Sequence, residues 1–221
     1  SRNDIIYDFY NPFSVDLYPI QDTWINEWNR NINYWASNFL EISDDWSAAL
    51  LKFDLIPIPA WAVIDSAIFN LERLNVGWQN WLEFEIRELL NNDWIEWNKN
   101  GWNASTGEPT YNDRARPTDR AWWSPWLTSW VDYDWSNVIV AATWFDFAWN
   151  QNKDFEITSH WLQVLNDRFS TPWLQSWMVI LWLSGTLRLG SREQWLLEPR
   201  PLVRFTYTPD LTPPTAIVEY S

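Results

Sequence analysis

Tryptophan occupies the places where this chain turns. Trp126 and Trp173 follow proline, Trp46 and Trp135 follow aspartate, Trp81 follows asparagine, and Trp130 and Trp177 follow serine. A Pro-x or Asn-x turn ordinarily wants at x a residue that tolerates positive φ, which suits glycine and not a bulky side chain. The counts point the same way: 22 Trp stand beside 5 Gly, where average usage would supply roughly 15 glycines in a chain of this length. Three readings compete. The tryptophans are surface aromatics that stack on sugar rings, or core residues, or glycine positions written as Trp because a reassigned UGA codon was decoded with the wrong table. One sugar site needs far fewer aromatic platforms. Core tryptophans would follow a period of 2 or 3.6 among apolar neighbours, which many of these do not. Recoding is the favoured reading, because it accounts for the surplus and the deficit together.

The chain carries 15 Lys+Arg against 29 Asp+Glu, a formal charge of −14, with one His and no Cys. That excess repels phosphate backbones, so nucleic acid is not an expected partner. Without cysteine there is no disulfide framework, thiolate nucleophile or Cys-based zinc site. No apolar stretch is long enough to span a bilayer as a helix, so direct membrane insertion is not expected. The start, Ser1-Arg2-Asn3-Asp4, lacks the basic and apolar regions of a signal peptide, so any leader is expected to be gone.

Short strand-like runs, split by turn residues, dominate the rest. They are Val15–Tyr18, Phe39–Ile42, Ala48–Leu55, Ala62–Leu71, Leu82–Ile86, Val138–Ala141, Phe155–Ile157, Met178–Leu181, Thr186–Leu189 and Leu202–Tyr207. Ala48–Leu55 is almost continuously apolar and reads as a buried strand, whereas Leu82–Ile86 alternates, putting Glu83 and Glu85 on a solvated face. Only His160–Phe169 has a helical pattern. Asn91–Trp135 has no sustained period and reads as one long ordered loop, a feature that often carries function. This pattern predicts an all-β fold, a jelly-roll β-sandwich with one long loop insertion and a short helix. Residues 1–14 form a lead-in, 15–209 the sandwich, and 210–221 a linker into a following domain.

Several phrases then line up in order. Asp22-Thr23, Asn33-Tyr34-Trp35, Leu50 to Leu55 (LLKFDL) and Ile58 to Ala67 (IPAWAVIDSA) resemble the opening of the DNRLRE domains, also called disaggregatase-related or carbohydrate-binding-module family ninety-six domains. Trp94 to Trp97 is similar to the family's W-x-E-G, Phe155–Ser159 to the segment before its short helix, and Ser191-Arg192-Glu193 with Arg200-Pro201 to its closing strands. Where the family pattern has glycine this chain has Trp35, Trp61, Trp97 and Trp173, whereas Trp94 stands where the family has tryptophan. Asp210 to Val218 resembles the start of a bacterial immunoglobulin-like repeat. The resemblance implies a secreted, non-catalytic module of a longer surface protein, extracellular or at the cell surface. Its expected partners are polysaccharide, some members binding acidic polysaccharides, or the neighbouring domains of a surface assembly.

The side chains that can carry chemistry are few. Ser159-His160 is the one serine–histidine neighbour pair, and adjacent residues point apart, so no nucleophile–base dyad forms there. With no G-x-G-x-x-G or P-loop, even reading Trp as Gly, nucleotide binding has no support. Arg114, Arg116 and Arg120 beside Trp122 and Trp123 form the one basic, aromatic stretch, suited to an acidic glycan. They can equally pair with the chain's own carboxylates. Asp132-Tyr133-Asp134-Trp135-Ser136-Asn137 is oxygen-rich, and Asp132, Asp134 and Asn137 are candidate ligands for a structural Ca²⁺, although the EF-hand spacing and its terminal Glu are absent and a plain polar turn is the simpler reading. The function expected is polysaccharide binding or adhesion; the alternatives are a structural spacer or filament subunit and, more distantly, a polysaccharide-degrading enzyme. The recoding reading predicts that protein from its native source is clearly lighter than the 26.6 kDa of this sequence. A native intact mass equal to that value would refute it.

Overall fold

A computed structural model describes residues 12–34, 36–43, 47–60, 62–74, 81–90, 94, 102–104, 108–112, 132–146, 151–169, 175–184, 186–194 and 200–209. The chain is an all-β sandwich with one helix. Its strands are β1 (Phe13–Leu17), β2 (Pro19–Asn26), β3 (Ile32–Asn33), β4 (Phe39–Ser43), β5 (Ser47–Asp54), β6 (Ala62–Leu74), β7 (Trp81–Leu89), β8 (Trp102–Asn103), β9 (Tyr133–Asp146), β10 (Gln151–Glu156), β11 (Gln175–Ser184), β12 (Thr186–Gly190) and β13 (Leu202–Pro209), and α1 spans Ser159–Phe169. All the strand pairings are antiparallel.

The sheet runs β2–β5–β11–β7–β9 on one side and β10–β6–β13–β1 on the other, with β4 and β12 bridging the two. Between them lies the main core, in which Leu51, Phe53, Phe69, Phe84, Ile86, Ile180, Val203 and Phe205 are fully buried. These residues alternate along their strands, as a pleated sheet requires. β5 departs from simple alternation because Ser47 to Leu51 are all buried. Ala49 and Leu51 face the main core, while Ala48 and Leu50 belong to a second cluster with Ile25, Leu89, Trp94, Tyr133 and Val179. The near-continuous apolar run thus marks a strand covered on both faces.

The segment between β7 and β9 supplies that second cover through Trp94, which is 1% exposed. Its described residues are partly regular. β8 pairs with β3, Ala104 N donates to Asn31 O at 3.0 Å, Asn33 Nδ2 donates to Pro109 O at 3.0 Å, and Tyr111 is buried. β9 begins at Tyr133, so the loop predicted to run to Trp135 ends earlier. β2, β3 and β8 have no counterpart among the predicted strands. The tail 210–221 and most of the 1–14 lead-in lie outside the described residues.

The described tryptophans divide by context. Trp24, Trp94 and Trp161 are buried; Trp28 is 74% and Trp135 47% exposed. Both exposed rings sit at side-chain-capped turns. Asn26 Oδ1 accepts from Trp28 N at 2.8 Å, and Asp134 Oδ1 accepts from Ser136 N, just beyond Trp135, at 2.8 Å. Asx turns of this kind suit small residues, and neither ring is needed for the core. Trp94 fills the second cluster.

A polar seam closes the sandwich. Asp22 on β2 is fully buried, and its Oδ2 accepts from Arg192 N at 2.6 Å. Ser191 Oγ donates to Ser37 O at 2.6 Å, and Arg200 holds Gln194 O through Nε and Nη2 at 2.9 and 2.6 Å. Burial pushes the Asp22 carboxyl up to about 7 against the opposing pull of its hydrogen bond from Arg192 and of the Arg192 and Arg200 charges. Because the folded state holds this proton more tightly than the unfolded chain, Asp22 contributes stability at acid pH and loses it as pH rises through about 7. Asp22→Asn should therefore gain on the parent, by at least about tenfold in folding equilibrium constant between about pH 5 and pH 8, in urea titrations. A constant difference across that range would contradict this placement of Asp22.

Candidate functional site

The regular ladder of β6 breaks at Asp65. Ser66 pairs with Thr206 and Ile64 with Tyr207, leaving Asp65 as an extra, bulged residue. The inside–outside alternation slips there, so that Asp65 and Ser66 are both exposed between buried Ile64 and Ala67. Bulges commonly re-aim side chains in this way. On the other edge of β6, β10 ends where Glu156 pairs with Ile68, and Ile157 N donates to Ala67 O at 3.2 Å.

The chain then turns into α1. Thr158 caps the helix, its Oγ1 accepting from Trp161 N at 3.3 Å and donating to Val138 O at 2.6 Å. Trp161 and Leu165 anchor α1 in the main core. Beyond the end of β10, Asn166 takes the place of a strand partner. Its Oδ1 accepts from Ile64 N at 2.7 Å and its Nδ2 donates to Ile64 O at 3.0 Å. Both backbone groups beside the bulge are thus satisfied by one amide side chain.

Between the bulge and α1 lies an open groove of about 450 Å³. Asp65, Ser66, Glu156 and Ser159 line it with oxygens, and Ala67, Ile68, Ile157 and Leu162 give it an apolar floor. Asp65 Oδ1 also accepts from Thr208 Oγ1 at 3.3 Å.

Of the residues singled out in the sequence, Arg114, Arg116, Arg120, Trp122 and Trp123 lie outside the described residues. Asp132, Asp134 and Asn137 stand at the start of β9. Asp132 is fully buried and its carbonyl accepts from Leu90 N at 2.8 Å. Asp134 Oδ1 accepts from Ser136 Oγ at 2.6 Å, from Ser136 N at 2.8 Å and from Asn137 N at 3.3 Å. Partial burial pushes the Asp134 carboxyl up, but the hydrogen bonds from Ser136 and Asn137 outweigh it and hold the group below the usual carboxylate range. Asn137 Nδ2 reaches Glu88 Oε2 at 3.3 Å. No set of three His, Cys, Asp or Glu side chains converges as a metal site among the described residues. His160 is exposed near the start of α1.

Reading the sequence by period did not find Asp65, Glu156 or Glu88. The available signal for Asp65 was two successive polar residues inside an otherwise alternating strand. No protein-family model matches the chain, and no curated protein matches its sequence.

Proposed function

We propose that this chain is a non-catalytic module that binds polysaccharide, with the groove between the β6 bulge and α1 as its site. The groove's lining carries the reading. Carboxylates accept hydrogen bonds from neighbouring sugar hydroxyls, serine hydroxyls donate as well as accept, and an apolar floor packs against the C–H face of a pyranose ring. Its volume, about 450 Å³, suits one or two sugar units.

A second reading follows from the same groove, because Asp65 and Glu156 line it together, as the two carboxylates of a glycosidase would. Both carboxylates are exposed, however, in an open groove, whereas a hydrolase closes its site around the reacting bond and excludes water. Binding is therefore favoured over hydrolysis. The family resemblance supports the same choice and, with it, an extracellular or cell-surface location within a larger protein, facing polysaccharide or neighbouring domains.

Titration calorimetry against a panel of neutral and acidic oligosaccharides tests the proposal. The parent should bind at least one of them, and Asp65→Asn and Glu156→Gln should each weaken that binding at least about tenfold, as expected when a charged hydrogen-bond partner is removed. No sugar product should be released. Absence of binding across the panel would overturn the proposal. Release of reducing ends that is lost in Glu156→Gln would establish the enzymatic reading in its place.

A further inference from the structure

The groove at the β6 bulge has a charge pattern that selects among sugars. Asp65 and Glu156 are both exposed and both line it, with Ser66 and Ser159 as further polar groups. No Lys, Arg or His stands among its described lining residues. The protein itself does not neutralise these carboxylates. Asp65 accepts from the uncharged Thr208 hydroxyl, and Glu156 has no ion-pair partner among the described residues.

The positive groups nearby are directed elsewhere or are too weak to compensate. Arg204 lies in the same cross-strand row as Glu156, since each pairs with Ile68 from its own side of β6. Two strand spacings, about 10 Å, separate the two positions. The Arg204 guanidinium reaches the other way, to Asp16 on β1, and grips both carboxylate oxygens at 2.7 and 2.8 Å. Lys153 stands on β10 an odd number of residues before Glu156, so strand alternation puts it on the opposite face. His160 follows Ser159 on α1 but does not line the groove. The N-terminus of α1 brings roughly half a positive charge beside Ser159, against two full negative charges. Asp154 shares the face of Glu156 on β10 and makes the approach more negative still.

Two uncompensated carboxylates discriminate between sugars by charge. A uronic acid meets like charges here, with no arginine fork to bridge them. A neutral sugar makes ordinary hydrogen bonds. A protonated amine on the ring makes charge-assisted ones, roughly twice as strong. The amine takes the place of one hydroxyl, so the pyranose ring still lies on the floor of Ala67, Ile68, Ile157 and Leu162.

We propose that the groove selects polysaccharides built from amino sugars with free, protonated amines, and that Asp65 and Glu156 receive the ammonium groups. The inference rests on the polysaccharide reading of the groove and narrows it to cationic glycans. The apolar floor favours a sugar over a basic peptide, because a lysine side chain has no ring face to lay on it.

Calorimetry in mildly acidic buffer, where such amines are protonated, tests this with equal-length oligomers of glucosamine, N-acetylglucosamine and galacturonic acid, and with oligolysine. The glucosamine oligomer should bind at least about tenfold more tightly than its acetylated counterpart. Added salt should shrink that difference, because the groove is open to solvent. Asp65→Asn and Glu156→Gln should each weaken the glucosamine oligomer more than the acetylated one, while Glu27→Gln, at an exposed ion pair elsewhere, should change neither. Both groove positions are exposed, so these variants should fold. If the acetylated or the acidic oligomer binds as tightly as the glucosamine oligomer, and the groove variants still weaken it, the amine inference falls and the polysaccharide reading stands. If no oligomer binds, both fall. Oligolysine binding as tightly as the glucosamine oligomer would also overturn the inference, since charge alone would then account for recognition.

Discussion

A strand buried on both faces cannot be stabilised by one core, and β5 is such a strand. Its odd residues Ala49 and Leu51 face the space between the two sheets, while Ala48 and Leu50 face outward from the sandwich. Left to solvent, that outer face would expose a row of aliphatic side chains, each contributing about 1.5–3 kcal/mol only when covered. Trp94, from the segment between β7 and β9, and Tyr133, at the start of β9, cover it, packed with Ile25, Leu50 and Val179. The segment is therefore part of the hydrophobic architecture as well as a loop. The pairing of β8 with β3, in a separate two-stranded sheet, and the hydrogen bond from Asn33 to Pro109 O tie its described residues to the stretch after β2.

The proposed groove arises where this architecture interrupts a ladder. A bulge on β6 turns Asp65 and Ser66 outward together, and the end of β10 leaves room for α1 to approach; the groove is the space between them. The slip between β7 and β9 likewise sets the four residues Asp134 to Asn137 against Glu88, which accepts from Asn137 Nδ2 at 3.3 Å. At the β6 bulge the regular sheet on either side fixes the irregularity, which is how a bulge can be rigid enough to recognise a ligand. Asn166 shows what such an interruption costs, since a side-chain amide has to replace the missing strand partner of Ile64.

Period and turn residues in the sequence were enough to locate most of the strands, because their apolar residues either alternate, as in Phe84 and Ile86, or run on, as in Ala48 to Leu51. The helix was legible to within a residue. β2 was not, since Pro19 and the buried polar pair Asp22-Thr23 disguise a strand whose burial includes a hydrogen-bonded carboxylate. β3 and β8 are two residues each, too short for any period to register. The groove was hidden for a different reason. Its carboxylates are ordinary surface residues in sequence, and only the register slip at Asp65 and the end of β10 bring them to one place. The tryptophans remain the strangest feature, and two of them, Trp28 and Trp135, stand as exposed rings at Asx-capped turns, a setting that suits small residues.

β5 is sealed on both faces, and Trp94 of the β7–β9 segment belongs to the outer seal. Native-state hydrogen exchange, resolved by residue, measures this directly. Amides of Ala48 to Leu51 and of Val179 and Ile180 should exchange only through global unfolding, and those of the edge strand β1 much faster. If β5 and β11 amides instead exchange through local opening, at rates close to those of β1, the outer face is not sealed and the two-core account is wrong.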